Sequence, residues 1–178
     1  MKYIALLRGI GPGNPNMTND KLRGVFEALG FTDVRSVISS GNIIFTAPEE
    51  NLEMLETRIQ KGLHETLGIP GGTIVRSEAE IKAFLDTQPF GELEHSPASY
   101  LNVTFMKTRH MPLPIKLPYV SDRGYVLQSY DSDIDAVCSV VDTTTGKTVD
   151  YMTWMEKQCG KGITTRTWKT VERIAKKF

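Results

Sequence analysis

The sequence predicts an α+β protein: a ferredoxin-like βαββαβ lobe over residues 1–76, packed on a second, smaller α+β lobe over residues 77–178 that closes with C-terminal helices. Two observations carry that expectation. In the first half, short apolar runs alternate with stretches whose apolar residues recur every three to four positions, and glycines mark their ends. In the second half, alternating strands and a capped helix recur without any composition shift that would mark a linker, so the two lobes are expected to associate closely.

Residues 3–7 are almost wholly apolar and end in Arg8-Gly9, the pattern of a buried strand. Residues 11–16, rich in Gly, Pro and Asn, form a loop. Thr18 is placed to cap a helix, with Met17 and Leu22 as its hydrophobic staple and Leu22, Val25, Phe26 and Leu29 as one apolar stripe ending at Gly30. Residues 34–39 and 42–46 read as a hairpin turning at Ser40-Gly41. Pro48 and Glu49 are expected to open a second helix that turns Leu52, Leu55, Ile59, Leu63 and Leu67 inward and stops at Gly68, and residues 73–76 form a fourth strand. The first and third strands, apolar on both faces, are expected to be central. They are also expected to run parallel, which would put Arg8 and Ser40-Gly41 at opposite ends of the sheet.

In the second half, Ser77 and Glu80 form a capping box for a helix carrying Ile81, Phe84 and Leu85 on one side. Leu101, Val103 and Phe105 alternate with Asn102 and Thr104, as in a half-buried strand. Pro112, Pro114 and Pro118 mark an extended connector, residues 124–130 and 135–141 a strand pair, and residues 150–158 a helix. A last helix is expected from about Thr164.

Twenty-one basic and 21 acidic residues cancel, so no global field draws the chain to nucleic acid or to an anionic membrane. Residues 1–9 lack the pattern of a secretory leader, and no run approaches the roughly 20 apolar residues of a membrane span. With only Cys138 and Cys159, a reduced, cytoplasmic protein is expected, without cofactor or membrane partner.

Several patterns fail as chemistry. Gly9, Gly11 and Gly13 sit between strand and helix, but the Lys and hydroxyl of a phosphate loop are missing, and Pro12 and Pro15 remove backbone donors. His64, His95 and His110 have no metal-ligand spacing, and Cys138 reads as a buried thiol. The run from Asp131 to Asp135 opens like a calcium loop, but Ala136 stands where glycine is required and Asp142 where a bidentate glutamate belongs. No catalytic constellation and no metal site are expected. Sheet-based recognition of RNA needs exposed aromatics that the central strands lack, so nucleic acid stays possible but is not indicated by the sheet.

Candidate binding residues remain. Arg8 offers five donors at the end of an apolar strand, against a structural ion pair. Ser40, Gly41 and Asn42 form either a site or a turn that needs this geometry. In the closing segment Thr164 is read as a helix cap, with Ile163 and Trp168 as its staple and Trp168 as a docking anchor. From residue 157 onward seven cations stand against Glu172 alone, so Lys161, Thr165 and Arg166 beside free helix N–H groups would hold an anion.

The stretch YIALLRGI at residues 3–10, then Leu29-Gly30-Phe31, Val34-Arg35, the SSGN of residues 39–42 and the TTRTWKTV of residues 164–171 resemble a bacterial family, domain of unknown function 1697. The resemblance spans essentially the whole chain. It implies a two-lobed, ferredoxin-like α+β fold and a soluble bacterial protein, with no established activity. The function expected is binding of an anionic ligand: a phosphorylated metabolite, a nucleotide or a nucleic-acid backbone. The alternatives are an enzyme with dispersed catalytic residues and a structural or interaction module with no small-molecule ligand.

Overall fold

The computed structural model describes residues 1–39, 41–48, 51–107, 109, 112–144 and 150–178. Ser40, the Glu49 expected to open the second helix, and His110 lie outside the described residues. The chain divides into two compact units, residues 1–81 with 173–178, and residues 82–172. No helix among the described residues is long and apolar enough to cross a membrane.

The first unit contains β1 (Lys2–Leu7), α1 (Asn19–Ala28), β2 (Thr32–Ser36), β3 (Asn42–Thr46), α2 (Leu52–Leu67) and β4 (Thr73–Ser77). Its sheet has the order β2-β3-β1-β4, so β1 and β3 are central, as their apolar character requires. Thr18 caps α1 by accepting from Lys21 N. The second helix starts later than Pro48: Asn51 caps it, its side chain accepting from Glu53 N and Met54 N. Tyr3, Ala5 and Leu7 pack with Leu22, Val25 and Phe26 of α1 and with Leu55, Ile59 and Leu63 of α2. On the opposite face of the sheet, Ile4, Leu6 and Ile44 are equally buried.

The direction of the central pair corrects the expectation from sequence. β1 and β3 are antiparallel, Leu6 facing Asn42 and Lys2 facing Thr46. A helix crossover keeps its two strands parallel, and the hairpin that follows then reverses β3 before it inserts beside β1. Arg8 and the Gly41-Asn42 turn therefore lie at the same end of the sheet. On the edge strand β4 a buried ion pair is built in: Glu56 Oε1 accepts from Val75 N at 2.9 Å and lies 4.0 Å from Arg76 Nη1, and Arg76 pairs with Ile4 of β1.

The helix α3 (Glu78–Asp86) opens with the expected capping box, Ser77 N donating to Glu80 Oε2 at 2.7 Å and Glu80 N to Ser77 Oγ at 3.2 Å. The second unit then contains β5 (Ser99–Met106), β6 (Tyr119–Val120), β7 (Tyr125–Asp131), β8 (Ala136–Asp142), α4 (Tyr151–Cys159) and β9 (Ile163–Thr167), and α5 (Trp168–Ala175) follows directly. Its antiparallel sheet has the order β6-β7-β8-β5-β9. One face packs Met106, Leu127, Val137 and Ile163 against Tyr151 and Met155 of α4. β5 is not half-buried: Asn102 and Thr104 are buried together with Leu101, Val103 and Phe105. Thr104 can be buried because its hydroxyl bonds Tyr151 OH at 2.9 Å and Thr165 Oγ1 at 2.8 Å.

Candidate ligand-binding site

At the end of the first sheet, the residues singled out from sequence are drawn together by backbone bonds. Leu7 N donates to Gly41 O and Arg8 N to Gly72 O, both at 2.8 Å. Gly41 has φ 71°, and a Cβ there would come within 2.6 Å of Ile10 Cγ1; one on Gly71 would come within 2.0 Å of Arg8 O. These glycines are required by close approach and by backbone conformation. Asn42 is fully buried, and its amide donates to Val37 O at 3.1 Å, closing the hairpin. Arg8 is half-buried beside them. The geometry at Gly41 and Asn42 is that of a turn.

The closing segment differs from the expectation. Residues 163–167 are the strand β9, so Thr164 does not cap a helix and Ile163 and Trp168 form no staple. β-branched residues fill most of this run, and their strand preference is realised by pairing with β5, Thr104 opposite Thr165 and Val103 opposite Arg166. The helix N-terminus on which an anion site at Thr165 and Arg166 depended is therefore not there. Thr165 Oγ1 joins the network of Thr104 and Tyr151 and lies 2.8 Å from Met152 Sδ. Arg166 Nη1 donates to Thr164 Oγ1 at 2.8 Å and to Thr165 O at 2.9 Å, and burial pushes its guanidinium down to about 10. Lys161 is exposed in the turn before β9. Trp168 is the first residue of α5 and meets Phe84 and Phe90 edge to face, with centroids at 5.8 and 5.4 Å.

Cys138 is buried, and desolvation raises its thiol to about 12. Asp131 Oδ1 accepts from Asp133 N and Ile134 N at the tip between β7 and β8, and the buried Asp135 accepts from Tyr130 OH at 2.7 Å. His95 Nδ1 accepts from Leu101 N, and His64 is exposed. Among the described residues no group of three or more His, Cys, Asp or Glu could hold a metal.

A pocket of about 270 Å³ in the second unit is lined by Tyr119, Ser121, Asp122, Arg123, Tyr125, Asp150, Trp154 and Lys157. Two elements build it. The turn from β6 to β7 supplies Ser121, Asp122 and Arg123, and Ser121 N bonds Tyr125 O at 2.9 Å to hold that turn. The helix α4 supplies Trp154 and Lys157, with Asp150 at its N-cap. These three positions, spaced i, i+4 and i+7, fall on one helix face. Tyr119 stacks on Trp154 at 4.8 Å with an interplanar angle of 22°, and the Tyr125 ring lies 5.5 Å from the indole. Burial raises the Tyr125 phenol above its ordinary range, so that ring carries no charge at neutral pH. Among the described residues no ion pair consumes Arg123 or Lys157.

The family model for a protein of unknown function (DUF1697) matches residues 1–117. The chain belongs to that family. No curated protein matches. Among solved structures, a conserved bacterial protein from Streptococcus pneumoniae is similar with a TM-score of 0.69 and 19% identity, over 99% of this chain and 97% of that one. At that identity the likeness extends to the fold. In this member of DUF1697, residues 119–157 of the pocket fall beyond the family-model match. Sequence reading passed over them because no motif joins the turn to the helix. The available signal was the spacing of Asp150, Trp154 and Lys157, together with the tyrosines that flank Ser121-Asp122-Arg123-Gly124.

Proposed function

We propose that this is a small-molecule-binding protein of the bacterial cytoplasm whose ligand carries an anionic group, held in the pocket between the β6–β7 turn and α4. One observation carries the reading: Arg123 and Lys157 line an aromatic-walled pocket and neither is consumed by an ion pair among the described residues. Charged side chains beside a low-dielectric wall attract a counter-charge more strongly than they would in open water. Two cysteines held as free thiols support a reducing compartment.

The test is a thermal-shift panel of small phosphates and carboxylates on the full chain. A ligand present at 100 times its dissociation constant stabilises the fold by about 2.7 kcal/mol. The double variant Arg123→Ala, Lys157→Ala is expected to lose that shift while keeping the melting temperature of the unliganded protein. A panel with no stabilising anion, or a double variant that still responds, would overturn the reading.

A further inference from the structure

We infer, resting on the binding reading above, that the ligand is a small zwitterion: its anionic end meets Arg123 and Lys157, and its ammonium nitrogen meets the aromatic wall beside Asp150. Charge balance is the first reason. The lining holds Asp122 and Asp150 as well as the two cations. A simple anion entering there would meet two like charges, which is unfavourable at short range.

The distribution along α4 is the second reason. Asp150 and Lys157 share a face with Trp154 between them. Seven residues at 1.5 Å rise separate the two charges by about 10 Å along the axis. The indole thus sits between a carboxylate and an ammonium. Faces of Trp and Tyr rings carry negative potential and attract cations, most of all where water is excluded. Asp122 and Arg123 repeat the same pairing of signs on the facing turn.

A structural account of Asp150 and Lys157 exists, since an acid at a helix start and a base in its last turn both complement the helix dipole. That account would have the Asp150 carboxylate bonding the N–H groups of the first turn, as an N-cap aspartate ordinarily does. Asp150 makes no side-chain cap bond. Nor does the dipole explain why two tyrosine rings converge on Trp154 of the same helix face. Size is the last reason. At about 270 Å³ the pocket lies just below the roughly 300–1,000 Å³ of drug-sized sites, too small to enclose a nucleotide and suited to a compact ligand.

The experiment is titration calorimetry on the full chain with four probes: phosphocholine, glycine betaine, choline and inorganic phosphate. At least one of the two zwitterions is expected to bind ten-fold or more tighter than choline or phosphate, and which of them does so decides between a phosphate and a carboxylate end. Asp150→Asn is expected to weaken the preferred zwitterion about ten-fold and to strengthen phosphate binding by removing a like charge. Asp122→Asn provides a second variant should Asp150→Asn lower the melting temperature. Phosphate bound as tightly as either zwitterion, with both carboxylate variants neutral, would overturn the inference and leave the anion reading standing. Binding of none of the four would overturn the inference, and the anion reading would then be decided by the thermal-shift panel of phosphates and carboxylates.

Discussion

The loop end of the first sheet and the pocket of the second unit use polar residues in opposite ways. At the sheet end, Asn42 and the glycines at 41 and 71 are turned inward to close a hairpin and let backbones approach. In the pocket, Arg123, Lys157 and Asp150 stand exposed around aromatic rings and close nothing. The first region carries a contiguous sequence pattern, whereas the second carries only the spacing of Asp150, Trp154 and Lys157 and two tyrosines flanking a distant turn. A pattern legible in one sequence can therefore report what the backbone requires, while a pocket assembled from two distant segments leaves only a faint and divided mark.

If that contrast is right, substitutions in the patterned segments cost stability and spare binding. Trp168→Ala is expected to have the largest effect, about 3 kcal/mol in denaturant melts, because the half-buried indole packs against Phe84 and Phe90. A loss below about 1 kcal/mol would return Trp168 to consideration as a ligand-stacking residue. Gly41→Ala should cost about 2 kcal/mol, from a left-handed backbone and a Cβ driven against Ile10 and Leu7. An unchanged melting temperature there would break the contrast. Thr165→Val, which keeps the shape and removes the hydroxyl bonded to Thr104, should cost about 1 kcal/mol with ligand affinity intact. A Thr165→Val protein of full stability that had lost anion binding would move the site back to the closing segment.

Much of the fold was legible because local and tertiary preferences agreed. Thr18, the Ser77–Glu80 box and the apolar runs of β1 and β3 each specify locally what the structure shows. Legibility failed where a local signal had two readings. Ile163-Thr164-Thr165-Arg166-Thr167 is a plausible helix cap and a plausible strand, and only pairing with β5 decides between them. The burial of Asn102 and Thr104 was hidden because alternation implies a wet face, whereas hydroxyl partners on α4 and β9 allow Thr104 to be dry. Strand direction was not legible in the apolar runs of β1 and β3 themselves, because it is set by the hairpin that reverses β3 after the crossover and places it between β1 and β2. For the site, the cations of the closing segment pointed to a helix start, whereas Arg166 stands in the strand β9 and Lys161 in the turn before it.

The chain has two tryptophans, and they stand in different surroundings. Trp168 is held between phenylalanine edges, whereas Trp154 forms part of the pocket wall. The molecule therefore contains its own optical reporter. Replacing Trp168 with phenylalanine leaves one indole, which can be excited apart from the tyrosines and is situated where a ligand would displace water from it. Occupancy then becomes a change of colour and intensity in ultraviolet emission, read from the unlabelled protein.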